Sequence, residues 1–161
     1  MALELDEIDR NLLRELEQDA DRPNVELARL IGLSPAATLN RVRRLKEGGA
    51  ITAVRAVVDP DTMGYPLQVY VAATLSQHDE RSHQRFEAAV RRLPQVLTAD
   101  WVTGETDALL RVVARDVEEL QKVLNLLARA GAARLLTLLR LEEMKARAPM
   151  PAPHPATRRV H

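Results

Sequence analysis

Four cations, Arg41, Arg43, Arg44 and Lys46, crowd one short stretch, SPAATLNRVRRLK, from Ser34 to Lys46. No acidic residue interrupts it. Guanidinium groups bind phosphate oxygens and guanine edges. Thr38 and Asn40 are the candidate neutral contacts to bases, and small Ala36 and Ala37 let a helix approach a groove closely. Ser34 can lend its amide or hydroxyl to a phosphate at a helix N-terminus. Taken alone, the stretch also fits an ordinary solvated helix face, so its weight depends on what holds it.

The rest of the chain offers little for catalysis. It has no phosphate-binding glycine loop, nucleophile elbow or HExxH motif. With no cysteine among 161 residues, disulfides, thiolate chemistry and Cys-ligated zinc are excluded. The spacing of His78 and His83 does not put both imidazoles on one helix face, so these two and Asp79 read as surface residues. Asp100 and Glu105 form no evident acid–base pair. Neither an enzyme nor a bound cofactor or metal is expected.

The 23 basic and 23 acidic residues cancel, so affinity for a polyanion must come from a local surface. An apolar fraction of 46% supports packed cores, whereas 2% aromatics argues against base-stacking platforms. MALELDEIDR has no apolar run and does not read as a signal peptide. No apolar stretch reaches membrane-spanning length. Lack of cysteine fits a reducing compartment, and a cytoplasmic protein is expected.

The basic stretch has supporting elements in front of it. Asp6 caps a first helix with Ile8, Leu12, Leu13 and Leu16 at helical spacing. Pro23 interrupts, since the residue before a proline avoids helical geometry. Asn24 is expected to cap a short second helix that buries Leu27, Ala28 and Ile31, and Gly32 ends it. Ser34 and Pro35 then open the third helix as N-cap and first residue, with Leu39, Val42 and Leu45 as its apolar stripe. Gly48 and Gly49 end it, and Ile51 to Val58 reads as a β-branched strand. Two short helices joined by a glycine turn and backed by a third describe a helix-turn-helix, here of winged type, over residues 1–58.

Residues 59–66, DPDTMGYP, form a turn-rich linker. Residues 67–145 read as strand, helix, strand, strand, helix, strand. The strands are Leu67 to Leu75, Val96 to Val102, Leu109 to Ala114 and Leu135 to Leu141. The helices are Glu80 to Leu93 and one marked by Val117, Leu120, Leu124 and Leu127, capped by Asp116. This βαββαβ order is ferredoxin-like, which makes the chain α+β. Such a sheet carries helices on one face only, yet Tyr70, Ala72, Leu136 and Leu138 make the other face apolar too. Either a second copy packs face to face with it, or other segments of the chain cover it. Residues 146–161, proline-rich with Arg158 and Arg159 near the end, are expected to be a flexible tail.

Three stretches, IDRNLLREL, NVELARLIGLSPAATLNRVRRLKEGGAI and VTGETDALLRV, together with LEEMK, resemble the Lrp/AsnC feast-or-famine transcription regulators. The resemblance spans nearly the whole chain except the tail. It implies a regulator that binds double-stranded DNA, dimerises through its C-terminal βαββαβ (RAM-type) domain and often assembles into tetramers or octamers. It also implies an amino-acid effector bound between C-terminal domains. The family's effector loop keeps its Gly and Asp as Gly104 and Asp107, with Glu105 and Thr106 between them. Thr137 matches a threonine of the last strand. The aromatic residue often found beside that Asp is missing, since Thr106 and Ala108 flank it, and the family's Pro-Gly is Ala130-Gly131. These departures leave open an orphan regulator without effector, or a metabolite-binding oligomeric module.

Chemically, Asp107 can accept hydrogen bonds from an ammonium group, while amides near Gly104 can receive a carboxylate. The same loop also reads as a plain tight hairpin with Gly104 at a left-handed position. A dimer would place two recognition helices in successive major grooves, roughly 34 Å apart. Ser34, Ala36, Ala37, Thr38, Asn40, Arg41, Arg43 and Arg44 are the expected DNA-contacting set.

Overall fold

A computed structural model describes residues 3–151. The described residues divide into two compact units, one containing residues 3–56 together with 144–151, the other Val57–Glu143.

The first unit has three helices, α1 (Glu7–Gln18), α2 (Asn24–Ile31) and α3 (Pro35–Glu47). Asp6 caps α1 through a capping box: its carboxylate accepts from the Asp9 amide at 2.7 Å, and the Asp9 carboxylate accepts from the Asp6 amide at 3.1 Å. Gly32, at φ +70°, adopts the left-handed conformation that closes α2, where a side chain would be strained. Ser34 Oγ accepts from the Ala37 amide at 3.2 Å and caps α3. Leu12, Leu27 and Leu45 form the buried centre of the unit, with Leu16, Ile31, Val42 and Ile51 packed around them.

Three expectations fail here. Asn24 is the first residue of α2 rather than its cap; the N-cap is Pro23, which has no side-chain donor or acceptor, and Asn24 Nδ2 donates instead to the Pro35 carbonyl at 2.8 Å. Leu39 lies outside the core and is 50% exposed, because the inward line of α3 runs through Thr38, Val42 and Leu45. Ile51 to Val58 forms no strand, so the wing is absent from the described residues. Its β-branched residues have the propensity, but a strand needs a paired neighbour.

The second unit runs β1 (Leu67–Leu75), α4 (Glu80–Arg91), β2 (Val96–Trp101), β3 (Ala108–Ala114), α5 (Val117–Arg129) and β4 (Ala132–Leu139). The sheet is antiparallel throughout, in the order β2-β3-β1-β4. Its ferredoxin-like order is the expected one, with β4 beginning three residues before Leu135. Asp79 and Asp116 cap α4 and α5 through their carboxylates. Alternate strand residues Val69, Val71, Ala73, Leu75, Leu110 and Val112 pack against Phe86 of α4 and Val123 and Leu127 of α5. The intervening positions Tyr70, Leu109, Leu136 and Leu138 share the opposite face, each between 38% and 49% exposed.

Glu119, in the first turn of α5, fastens this unit. Its carboxylate accepts from the Arg115 amide at 2.8 Å, from Arg115 Nε at 3.1 Å and from Gln95 Nε2 at 2.9 Å. The Arg115 guanidinium, followed by the Arg115 amide and Gln95, holds its carboxyl down at about 2. Among described residues, no helix is long and apolar enough to cross a membrane. Most of the expected tail, including Arg158 and Arg159, lies outside the described residues; Ala146 to Pro151 have no regular structure.

Candidate nucleic-acid interface and effector loop

Helical geometry sorts the basic stretch into two faces. Thr38 turns inward: it is fully buried, and its hydroxyl donates to the Ser34 carbonyl at 3.0 Å. This corrects its expected role as a base contact, since its only polar group is consumed one turn back along the same helix. Arg41 also turns toward α1. Its Nη1 donates to Asp6 Oδ2 at 2.7 Å and to Asp9 Oδ1 at 2.8 Å. Arg44 Nη2 binds the other oxygen of Asp9.

Asp9 is therefore a buried carboxylate, 0% exposed, surrounded by donors: two guanidinium groups and the Asp6 amide. A buried charge is tolerable only when paired and fully hydrogen-bonded, and both arginines contribute to that. The Asp9 amide and then the Arg41 guanidinium hold the half-exposed Asp6 carboxyl at about 2. The same two carboxylates push the Arg41 guanidinium even higher than usual. The expectation that Arg41, Arg43 and Arg44 share phosphates and bases thus needs revision. Arg41 is committed to the fold, whereas Arg44, with its side chain 47% exposed, retains donors facing solvent.

The outward face holds Ala36, Leu39, Asn40 and Arg43, all exposed and recurring at i, i+3, i+4 and i+7. Ser34 is exposed at the helix start, and Ala37 is half-buried beside it. No motif in the sequence marks Asp9 as functional. A signal exists: Leu5, Asp9, Leu12 and Leu16 share one helical line, so a carboxylate interrupts an otherwise apolar stripe.

The second constellation lies at the end of the sheet. Gly104 has φ +125° in the loop between β2 and β3, a positive φ that suits the hairpin reading and leaves the effector reading open. Asp107 Oδ2 accepts from the Leu75 amide at 2.7 Å, and its Oδ1 lies 3.2 Å from His78 Nε2. The Asp107 amide and the Thr106 hydroxyl both donate to the Ala73 carbonyl, each at 3.0 Å. The loop is thereby tied to the end of β1. Glu105 contributes its backbone carbonyl, which accepts from Thr74 Oγ1 at 3.4 Å. Thr137 pairs with Val71 across β4 and β1, two positions along from the Leu135–Ala73 pair, and makes no hydrogen bond with the loop.

Aromatic groups reach this end of the sheet from elements other than the loop. His83 is half-buried, its ring 4.9 Å from that of Trp101, and Trp101 also contacts Phe86. His78 meets His83 edge-on at 6.5 Å. The expectation of surface status holds for His78 but not for His83, which follows the inward line of Phe86 and Val90. No group of three metal-ligating side chains occurs among the described residues.

Known proteins share both units. Residues 5–46 match the AsnC-type helix-turn-helix domain and residues 68–150 the Lrp/AsnC ligand binding domain. The chain belongs to the Lrp/AsnC family. It is similar to the HTH-type transcriptional regulator AldR of Mycolicibacterium smegmatis, with 36% identity over 151 residues, 92% of this chain and 88% of that one. It is also 36% identical to the leucine-responsive regulatory protein of Escherichia coli over 144 residues, 88% of each chain. Among solved structures, a transcriptional regulator of Neisseria meningitidis in complex with L-Met superposes with a TM-score of 0.85 at 28% identity, covering 92% of this chain and 97% of the other. LrpC of B. subtilis gives 0.79 at 28% identity, covering 90% and 100%. This Lrp/AsnC protein is thus a DNA-binding transcriptional regulator with a ligand-binding domain, like the AldR and leucine-responsive regulators it is similar to.

Proposed function

We propose that this regulator works without catalysis, as a cytoplasmic homodimer that presents α3 to the major groove and responds to a small amino acid at the Gly104–Asp107 loop. The observation that carries the DNA half is the division of α3. Arg41 and Arg44 anchor the helix on Asp9, which leaves Ser34, Ala36, Asn40 and Arg43 on an exposed side with no acidic residue in it. Arg43 and Arg44 would supply phosphate contacts, and Asn40, exposed on the same side, would read an adenine edge. A mobility shift on random duplex over a salt series tests it: affinity should fall steeply with salt, and absence of binding at every salt refutes it.

Support for the effector comes from the fixed carboxylate of Asp107 and from the L-Met complex of the Neisseria meningitidis relative. Asp107 would receive the ammonium, the amides beside Gly104 the carboxylate, with Glu105, Thr106 and Thr137 bordering the site. A thermal-shift panel of amino acids tests this. A ligand at 100 times its Kd adds about 2.7 kcal/mol, and a full panel without a shift favours an orphan regulator.

The dimer rests on the open sheet face. Tyr70, Leu109, Leu136 and Leu138 form an apolar surface that a second copy would cover. Leu138→Glu should convert the dimer, or the tetramer or octamer built from it, to monomer by light scattering. An unchanged mass refutes this interface.

A further inference from the structure

Leu39 is the one large apolar side chain on the outward face of α3. It is 50% exposed, and takes no part in the core around Leu12, Leu27 and Leu45. Ala36 lies one turn before it and Arg43 one turn after, with Asn40 alongside. Capping, charge anchoring and packing thus account for Ser34, Thr38, Arg41, Val42, Arg44 and Leu45, but not for Leu39. A leucine at the centre of the side proposed to face DNA would be stabilised there by an apolar counterpart. The major groove displays just one such group, the C5 methyl of thymine. Leu39 is the fifth residue of α3, in the N-terminal half that a recognition helix directs toward base edges.

We propose that Leu39 is a specificity-determining residue that packs on a thymine methyl, with the Ala36 methyl extending the same apolar strip. Asn40, its neighbour, reads an adenine beside that thymine. The half-site of this protein therefore contains an A·T step under the middle of α3. This inference rests on the reading that α3 enters the major groove.

The test uses full-length protein and duplexes that it selects from a randomised library. Each thymine is then replaced singly by deoxyuridine, which removes only the methyl group. One replacement per half-site should weaken binding about fourfold, the value of one buried methyl group. Leu39→Ala should bind the parent duplex more weakly and lose the distinction between thymine and uracil at that position. Its salt slope should not change, because no phosphate contact is lost, and its thermal midpoint should match that of the wild type, because Leu39 is outside the core. The proposal is overturned if no deoxyuridine weakens wild-type binding, or if the sensitive position stays sensitive in Leu39→Ala. A change of oligomeric mass in Leu39→Ala also overturns it, by assigning the residue to a protein contact. Salt-dependent binding with no methyl effect removes only this inference, whereas no binding to any duplex at any salt removes the major-groove reading with it.

Discussion

Asp9→Asn is the most informative single change in the first unit. The substitution keeps shape and volume but replaces an acceptor-only group with one oxygen and one NH2. Either orientation of the amide turns a donor toward a donor, whether Arg41, Arg44 or the Asp6 amide. The capping bond to Asp6 contributes about 1 kcal/mol, and a hydrogen bond to a charged group about 1.5–3 kcal/mol. The two guanidinium groups are 28% and 47% exposed and regain water when released, which favours the lower end. The expected loss is about 3 kcal/mol, a large part of what a small domain holds. All four aromatic residues, Tyr65, Tyr70, Phe86 and Trp101, lie in the second unit. Trp101 fluorescence therefore reports that unit alone, whereas far-UV ellipticity reports the helices of both. In a urea titration with m of about 1 kcal/mol/M, the ellipticity midpoint of the first unit should fall by about 3 M. The Trp101 transition serves as internal reference. A shift equivalent to less than about 0.5 kcal/mol would refute the view that Asp9 anchors α3.

Other substitutions probe the remaining assignments. Arg43→Ala should leave stability within about 0.5 kcal/mol, weaken all duplexes alike and lower the salt slope by about one; a change confined to one base position would instead make it a base reader. Arg44→Ala should combine a smaller loss of affinity with reduced stability, and unchanged affinity and salt slope would remove it from the interface. Glu119 has its pKa lowered from 4.5 to about 2 in the folded protein. Its contribution is complete above pH 4.5 and is lost as pH falls from there toward 2. Glu119→Gln should flatten that part of the acid-unfolding profile of Trp101 fluorescence, and an identical profile in the variant counts against the clasp. Gly131 has φ +124°, and a Cβ there would lie 2.8 Å from Arg85 Nη2, whose guanidinium Nε donates to the Ala130 carbonyl at 3.0 Å. Gly131→Ala should cost about 1–3 kcal/mol, seen as a lower thermal midpoint, and an unchanged midpoint would show that the turn relaxes freely.

Much of this architecture is written in local signals. Asp6, Ser34 and Asp116 cap the helices they were expected to cap, because a short side chain with an acceptor oxygen meets free amides only there. The order of strands and helices follows from the change between two-residue and 3.6-residue periodicity. What was not legible depends on partners distant in the chain. Leu39 fits an apolar stripe as well as Thr38 does by spacing alone, and only the position of α1 decides which one faces inward. Arg41 and Arg44 resemble free cations until Asp9, more than thirty residues earlier, is placed against them. The segment from Ile51 to Val58 has strand composition without a strand beside it. By sequence alone, Asp107 either meets a ligand or bonds nearby backbone. It reaches Leu75 and His78, about thirty residues back, which neither pattern nor propensity specifies.

The division of labour along α3 has an evolutionary consequence. Residues that fasten the helix and residues that face outward alternate along it, and no polar side chain is asked to do both jobs except Ser34 and Arg44. If α3 reads the major groove as proposed, sequence preference can drift, or be re-engineered, by exchanging Ala36, Leu39 and Asn40 as a set while the scaffold beneath stays untouched. On that reading, retargeting this regulator to a new promoter becomes a three-position problem.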